Sequence, residues 1–400
     1  MDIRPILSAM LRNKTGAVLI ALQIALTLAI VCNAVFIIHD RLSKIARTTG
    51  MDVDNIFVIN LSAYSPSYNP AEALRVNRDA LQGIPGVVDV TYSQSVPLSG
   101  GGWSDSAGLA PNQHSRGVSI GVYHMDEHAL NTLGVRLVEG RNFTHEEITE
   151  ISKDTYKTPT LAIVSRAVGE KLYPGKDALG KVFYEQADPV TIIGVVDTME
   201  GTWPHWEGFE RQIIFPTVFD GDFSRFLVRT LPGERDRVLK EAQQKLGDAH
   251  SGMFVRSAHP LTYYRDDTYQ DDHAMTVVLS VVTGLILAIT ALGIVGLASF
   301  SVRQRTKQIG TRRALGARRI DIVRYFMTEN WLITSIGVTL GAILAVALNY
   351  WLVTLYDIPS ISWYYIPAGI LCLWALGLLA VLGPALKAAA IPPAIATRSV

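Results

Sequence analysis

Apolar residues are distributed along the chain in two regimes. Near both ends they form long unbroken runs, and in the middle they form short runs punctuated by glycine, proline and charge. Four stretches carry no Asp, Glu, Lys, Arg or His: Thr15–Ile38, Ala274–Val302, Asn330–Tyr356 and Ile358–Leu386. A helix rises about 1.5 Å per residue, so roughly 20 apolar residues cross the hydrocarbon of a bilayer, and each stretch passes that test. Only Asp357 and the turn-forming Pro359 separate the last two, which predicts a tight helical hairpin. Arg4, Arg12 and Lys14 precede the first run, as they would in a signal peptide. Its apolar stretch exceeds the roughly 7–15 residues of a signal core and no A-x-A site follows, so it reads as a retained anchor.

Between the first and second runs, residues 39–273 are long enough to bury a core of their own. Two similar units bracket this segment. One is a strand at Ile56–Leu61, a helix begun by Pro70 and Glu72, and a strand at Val87–Tyr92; the other is a strand at Arg225–Arg229, a helix at Glu234–Leu246 and a strand at Met253–Val255. Strand–helix–strand units joined by Gly and Pro turns predict an α/β domain. An insert, about 97–222, is less regular, with β-like runs at Val118–Tyr123, Leu161–Val164 and Val190–Val196. Asp40–Arg47 and Thr262–His273 read either as stalks or as flexible linkers between domain and spans.

Charge orients the chain. Its 36 basic and 36 acidic residues balance, but the loop 303–329 holds Arg303, Arg305, Lys307, Arg312, Arg313, Arg318, Arg319 and Arg324 against only Asp321 and Glu329. The positive-inside rule makes that loop cytoplasmic, together with the segments 1–14 and 387–400, and places 39–273 outside. The expected order is therefore one span (15–38), the outer domain, then spans at 274–302, 330–356 and 358–386. The only basic run lies between two spans, which argues against a nucleic-acid partner. Cys32 and Cys372 each lie inside a span and read as packing residues.

No catalytic constellation is evident. Gly169 to Lys176 lacks Walker A spacing, and no Gly-x-Ser-x-Gly elbow occurs. Leu98–Gly102 looks like an ABC signature loop but lies in the outer segment, where it reads as a flexible turn. His124 and His128 have helical i, i+4 spacing without a third ligand, so no metal site is expected. Trp203 and Trp206 fit loop packing, and Asp266, Asp267, Asp271 and Asp272 fit a solvated face near the membrane. No charge interrupts the spans, which disfavours an ion-coupled carrier. Gly337 and Gly341 form a Gly-x-x-x-Gly pair suited to close helix approach.

The loop 303–329 is the most informative segment. Ile320, Val323 and Phe326 recur at helical spacing, as in an amphipathic helix at the membrane surface. Gly310 and Gly316 flank a short apolar knuckle at Ala314-Leu315, which suits either docking into a soluble partner's groove or anchoring among lipid headgroups. Here the sequence resembles the FtsX/MacB family of ABC-transporter permeases. Arg305 to Ala317 follows that family's pattern Arg-x-x-x-Ile-Gly-x-x-Arg-Ala-Leu-Gly-Ala closely. Gly134–Phe143, Ala162–Pro174 with Leu179-Gly180-Lys181 and Ile192–Val196 are similar to that family's exported-domain segments, and Pro384–Pro393 is similar to its C-terminal end.

The resemblance implies four membrane helices with a large α/β outer domain, a MacB-like periplasmic core. It implies a non-catalytic permease in a bacterial inner membrane, paired with a second copy or a sister chain. A separate ATPase chain would bind ATP and magnesium, so the chain needs no cofactor of its own. Arg312, Arg313, Ala314, Leu315, Gly316 and Ala317 would form the coupling element that meets the ATPase. The implied activity is efflux driven by movement of the outer domain, with a periplasmic membrane-fusion adaptor as a further partner. The alternatives are an FtsX-like transmitter that activates a cell-wall hydrolase, and a lipoprotein-releasing permease.

Overall fold

A computed structural model describes residues 14–64, 69–112, 117–152, 156–248, 252–356 and 359–392. The chain divides into two compact units, one built from 1–45 with 272–400 and the other from 46–271.

The first unit is helical. Its elements are α1 (Lys14–Ile45), α7 (Gln270–Gln304, whose first two residues belong to the other unit), α8 (Thr306–Ala314), α9 (Arg319–Tyr356) and α10 (Tyr365–Ala389). Four of these are long and apolar enough to cross a membrane. Three overrun the predicted spans. α1 continues through Ile45, α7 begins before Ala274, and α9 starts at Arg319 without a break, so Ile320–Phe326 forms the first turns of the helix that carries the third span rather than a separate helix. Within that stretch Ile322 and Phe326 face the core while Ile320 is exposed. α9 packs closely on α1 because Gly337 and Gly341 bring its backbone against Ala21, Ile24, Ala25 and Leu28. A Cβ at either glycine would lie 2.8–2.9 Å from atoms of α1, closer than real contacts allow. α7 meets α1 through a hydrogen bond between Thr27 and Thr290 (2.7 Å) and through Arg41–Asp272 (2.5 Å). Asp272 is 2% exposed on its side chain, so it is a clamp residue and not part of a solvated face.

The second unit is α/β. The two strand–helix–strand repeats become β1 (Ile56–Ala63), α2 (Pro70–Gln82) and β2 (Val87–Tyr92), then β11 (Phe223–Thr230), α5 (Arg235–Asp248) and β12 (Met253–Pro260). They interleave into one antiparallel sheet of order β12-β1-β11-β2, a split β-α-β arrangement. Phe57, Ile59 and Leu61 face α2 and α5, burying Leu74, Leu81, Val238 and Leu246. Ile56 and Val58 point the other way, into a second core. With both faces covered, β1 reads as a continuous apolar run and not as an alternating one.

The insert is also β-rich. It contains β3 (Trp103–Gly108), β4 (Val118–Met125), α3 (Ala129–Leu133), β5 (Leu137–Gly140), β6 (Thr149–Ser152), β7 (Leu161–Ser165), α4 (Arg166–Leu172), β8 (Val182–Glu185), β9 (Asp188–Val196) and β10 (Gln212–Asp220). A short helix, α6 (Leu261–Thr268), follows β12. Pairing runs β4-β3-β8-β9-β7-β10, and β10 pairs with β4 again, so six strands close into a barrel. Ala107, Ile120, Val122, Val164, Phe183, Val190, Ile192, Ile213 and Phe215 fill it. Pro216 lies where β10 leaves β4 and turns to β6, a position where a missing N–H costs least.

Candidate functional site

The predicted coupling residues fall within one tight turn. α8 ends at Ala314, and Gly316 takes φ +95°, the left-handed conformation that glycine adopts without steric penalty. The Ala317 N–H donates to the Arg312 carbonyl (3.1 Å) and the Gly316 N–H to the Arg313 carbonyl (3.2 Å). These two bonds form a Schellman cap, which satisfies carbonyls at the helix end and fixes the chain reversal. The Asp321 carboxylate accepts from the Arg318 N–H (2.9 Å) and anchors the start of α9. Leu315 caps this reversal with its side chain 84% exposed, more than any other large apolar residue among those described.

The turn stands on a buried base. Ile309 packs with Ile322 and Phe326, and Ala317 lies partly buried against the same cluster. Beneath it Arg305 pairs with Glu329 (2.9 Å), both mostly buried, and Arg305 also reaches the Tyr325 hydroxyl (3.3 Å). The Arg312 guanidinium lies over the Tyr325 ring, 5.0 Å from its centre. Arg313 turns inward: its Nη1 donates to the carbonyls of Ala389 (2.8 Å) and Ile391 (3.2 Å). It thus ties the turn to the end of α10, where a cation also complements the helix dipole. Around Leu315, Arg303, Lys307, Arg318, Arg319 and Arg324 are all exposed. The result is one apolar point, rigidly held, in a basic field.

Other sequence candidates resolve differently. His124 lies on strand β4, so the helical spacing with His128 does not apply. His124 is fully buried, while His128 Nδ1 bonds Asp89 (2.9 Å), which raises its pKa. Among the described residues no group of three potential metal ligands forms. Leu98–Gly102 is an ordered loop: the Leu98 N–H donates to Gly201 O (3.0 Å) and the Gly100 N–H to Thr202 O (2.8 Å). Trp203 and Trp206 meet edge to face at 6.0 Å, consistent with loop packing. The sequence reading missed the Arg305–Glu329 pair and a polar group at one end of the barrel. The alternation along β3, β4 and β8 carried the signal for that group.

Comparison with known proteins places these features in a family. The MacB-like periplasmic core domain matches residues 17–258, more than half of the chain, and the FtsX-like permease C-terminal domain matches residues 280–393. The uncharacterized ABC transporter permease YknZ of Bacillus subtilis (strain 168) is 24% identical over 331 residues, covering 80% of this chain and 77% of that one. The macrolide export ATP-binding/permease protein MacB of Neisseria gonorrhoeae (strain ATCC 700825 / FA 1090) is 24% identical over 301 residues, 72% of this chain. This chain spans 45% of that relative's length. The crystal structure of the extracellular domain of YknZ from Gram-positive bacteria is similar over 50% of this chain and 100% of its own, with TM-score 0.32 and 21% identity. The chain belongs to the ABC transporter permeases of MacB/FtsX type, with four membrane helices and a MacB-like periplasmic core.

Proposed function

We propose that this permease works in a bacterial inner membrane, where ATP hydrolysis on a partner ATPase moves its large domain and extrudes a substrate. In this reading the chain is non-catalytic; ATP and magnesium belong to the ATPase, and a second permease copy or sister chain completes the membrane part. The loop between α7 and α9 faces the cytoplasm. Leu315 enters a groove of the ATPase, Arg312 and its basic neighbours meet an acidic rim, and Arg313, Gly316 and Ala317 hold the turn in shape. The observation that carries this reading is the 84% exposure of Leu315 on a reversal fixed by two backbone bonds. An apolar side chain held out on a closed turn adds nothing to the fold. It suits an anchor residue in a docking interface, where truncation typically costs about 2 kcal/mol or more.

The test is affinity purification of the detergent-solubilised protein from its native cells, with bound chains identified by mass spectrometry. An ABC ATPase should copurify together with a membrane-fusion adaptor. Leu315→Asp should weaken ATPase binding by roughly 30-fold or more while leaving the thermal midpoint unchanged. A cell-wall hydrolase in place of the adaptor would redirect the reading to signalling. Undiminished ATPase binding by the variant would remove Leu315 from the interface, and absence of any ATPase would overturn the proposal.

A further inference from the structure

In a closed barrel, every second residue of each strand points inward. On β3 this set is Trp103, Asp105 and Ala107; on β4 it is Ile120, Val122 and His124; on β8 it is Phe183 and Glu185. Ala107, Ile120, Val122 and Phe183 of these sets pack in the apolar barrel core. Towards the end where β4 and β8 finish and β3, β7 and β9 begin, the inward positions change to Trp103, Asp105, His124 and Glu185. Of these, Trp103, Asp105 and Glu185 border a recess in the barrel mouth that Tyr156 also lines, and His124 lies fully buried behind the rings. The substitution of polar for apolar residues is confined to this end, and barrel mouths are common ligand sites.

The recess has two kinds of wall. Its aromatic side is Trp103 and Tyr156, backed by the buried rings of His124 and Phe219. Trp103 meets His124 edge to face at 5.2 Å and Tyr156 at 6.2 Å, with Phe219 at 5.5 Å behind. His124 lacks a hydrogen-bond partner on either ring nitrogen, and burial pushes its pKa down to about 3. It is therefore a neutral ring at physiological pH and brings no competing charge. The acidic side is Glu185 with Asp105. Glu185 is 4% exposed and its Oε2 has no hydrogen-bond partner. Thr158, Asp105 and Tyr156 bond its carboxyl group, and the charges of Asp105 and Asp188 act on it.

We propose that this barrel mouth binds a small organic ammonium ion, with the aromatic rings cradling its alkyl groups and Glu185 with Asp105 neutralising its charge. Rings alone would take any apolar ligand, and carboxylates alone would take a hydrated metal ion. The two together select a cation with apolar substituents, whose charge is attracted both by ring faces and by carboxylates. Two carboxylates are also too few to cage a divalent metal, and no third ligand joins them among the described residues. The inference is independent of how the chain meets an ATPase.

Protonation tunes the site. Burial, and then the Asp105 charge, push the Glu185 pKa up to about 7. The groups facing it are Asp105 from β3, Asp188 from β9, and Tyr156 and Thr158 from the segment before β7. Ammonium binding requires the ionised carboxylate, so affinity should rise about tenfold between pH 6 and pH 8 as Glu185 loses its proton.

The experiment uses purified full-length protein in lipid nanodiscs, with choline as the probe and 3,3-dimethylbutan-1-ol as its uncharged isostere. Saturation-transfer NMR titrations should show saturable choline binding at least tenfold tighter than that of the alcohol. Trp103→Ala should weaken choline roughly 2- to 30-fold, and Glu185→Gln should weaken it more and abolish the pH dependence. Equal binding of choline and the alcohol would overturn the proposal, as would no saturable choline binding. So would a choline affinity that survives either substitution in folded protein. Should Glu185→Gln fail to fold, the Trp103 variant, the isostere pair and the wild-type pH titration still decide.

Discussion

Glu185 illustrates how a single residue can work against the fold that holds it. Its carboxyl group lies one alternation from Phe183 on the inward face of β8, where an apolar side chain would continue the barrel core. Burial disfavours the charged form, so the pKa rises from an ordinary 4.5 to about 7 in the folded protein. The folded state then holds this proton more tightly than the unfolded chain does. No penalty exists below the unfolded pKa; it grows as pH rises from about 4.5 to 7 and is constant above. Glu185→Gln removes the titration, so the variant should be more stable than the parent by about 3 kcal/mol at pH 8 and nearly equal to it at pH 4.5. Thermal unfolding midpoints in detergent at the two pH values measure this difference. A gap that does not widen with pH would mean that Glu185 ionises as freely in the fold as in the unfolded chain.

At the scale of elements, the same sequence feature has opposite consequences in two helices. Gly337 and Gly341 on α9 sit against backbone and Cβ atoms of α1, whereas Gly296 on α7 has open space where a side chain would go. Gly341→Leu should force α1 and α9 apart and cost about 1–3 kcal/mol. Gly296→Leu should stay within about 0.5 kcal/mol, and the two midpoints measured side by side test the contrast. The sequence presents both helices as apolar runs with spaced glycines, and only packing tells them apart. The long helices and the bracketing strands were legible because their periodicity is local: β2 runs over Val87–Tyr92 as its pattern predicts. The insert was harder to read. β3 is polar at Trp103-Ser-Asp-Ser, β8 is four residues long and β10 contains Pro216, so none carries a strand signature of its own. Barrel closure depends on β10 pairing with β4, strands about ninety residues apart, and no local pattern records it. The turn at Ala314–Ala317 was legible through its glycine, but the inward turn of Arg313 onto Ala389 and Ile391 was not.

Helix lengths carry the argument at the scale of the whole molecule. At about 1.5 Å per residue, α10 with 25 residues is about 37 Å long and little more than spans the hydrocarbon. α1, α7 and α9, with 32, 35 and 38 residues, run to about 48, 52 and 57 Å and must project beyond it. The extra length of α1 and α7 lies at the ends that lead into the large domain, and that of α9 lies at the end beside Leu315. Continuous helices resist bending, so the chain can carry displacement along its length, provided that neighbouring helices move together. Arg41 and Asp272 join α1 and α7 at the domain-side ends, and the Asp272 side chain is almost wholly shielded from solvent. A shielded ion pair of this kind is strongly disrupted when one partner alone is removed, by about 3–5 kcal/mol. Arg41→Ala and Asp272→Ala should each leave basal hydrolysis by a reconstituted ATPase partner intact. On the proposed coupling, each should also lower several-fold any stimulation of that hydrolysis by a ligand of the large domain. The exchanged pair Arg41→Asp with Asp272→Arg should recover part of the response, since it restores the attraction between the two helices. If the single variants respond as the parent does, the Arg41–Asp272 clamp lies outside the proposed path of transmission.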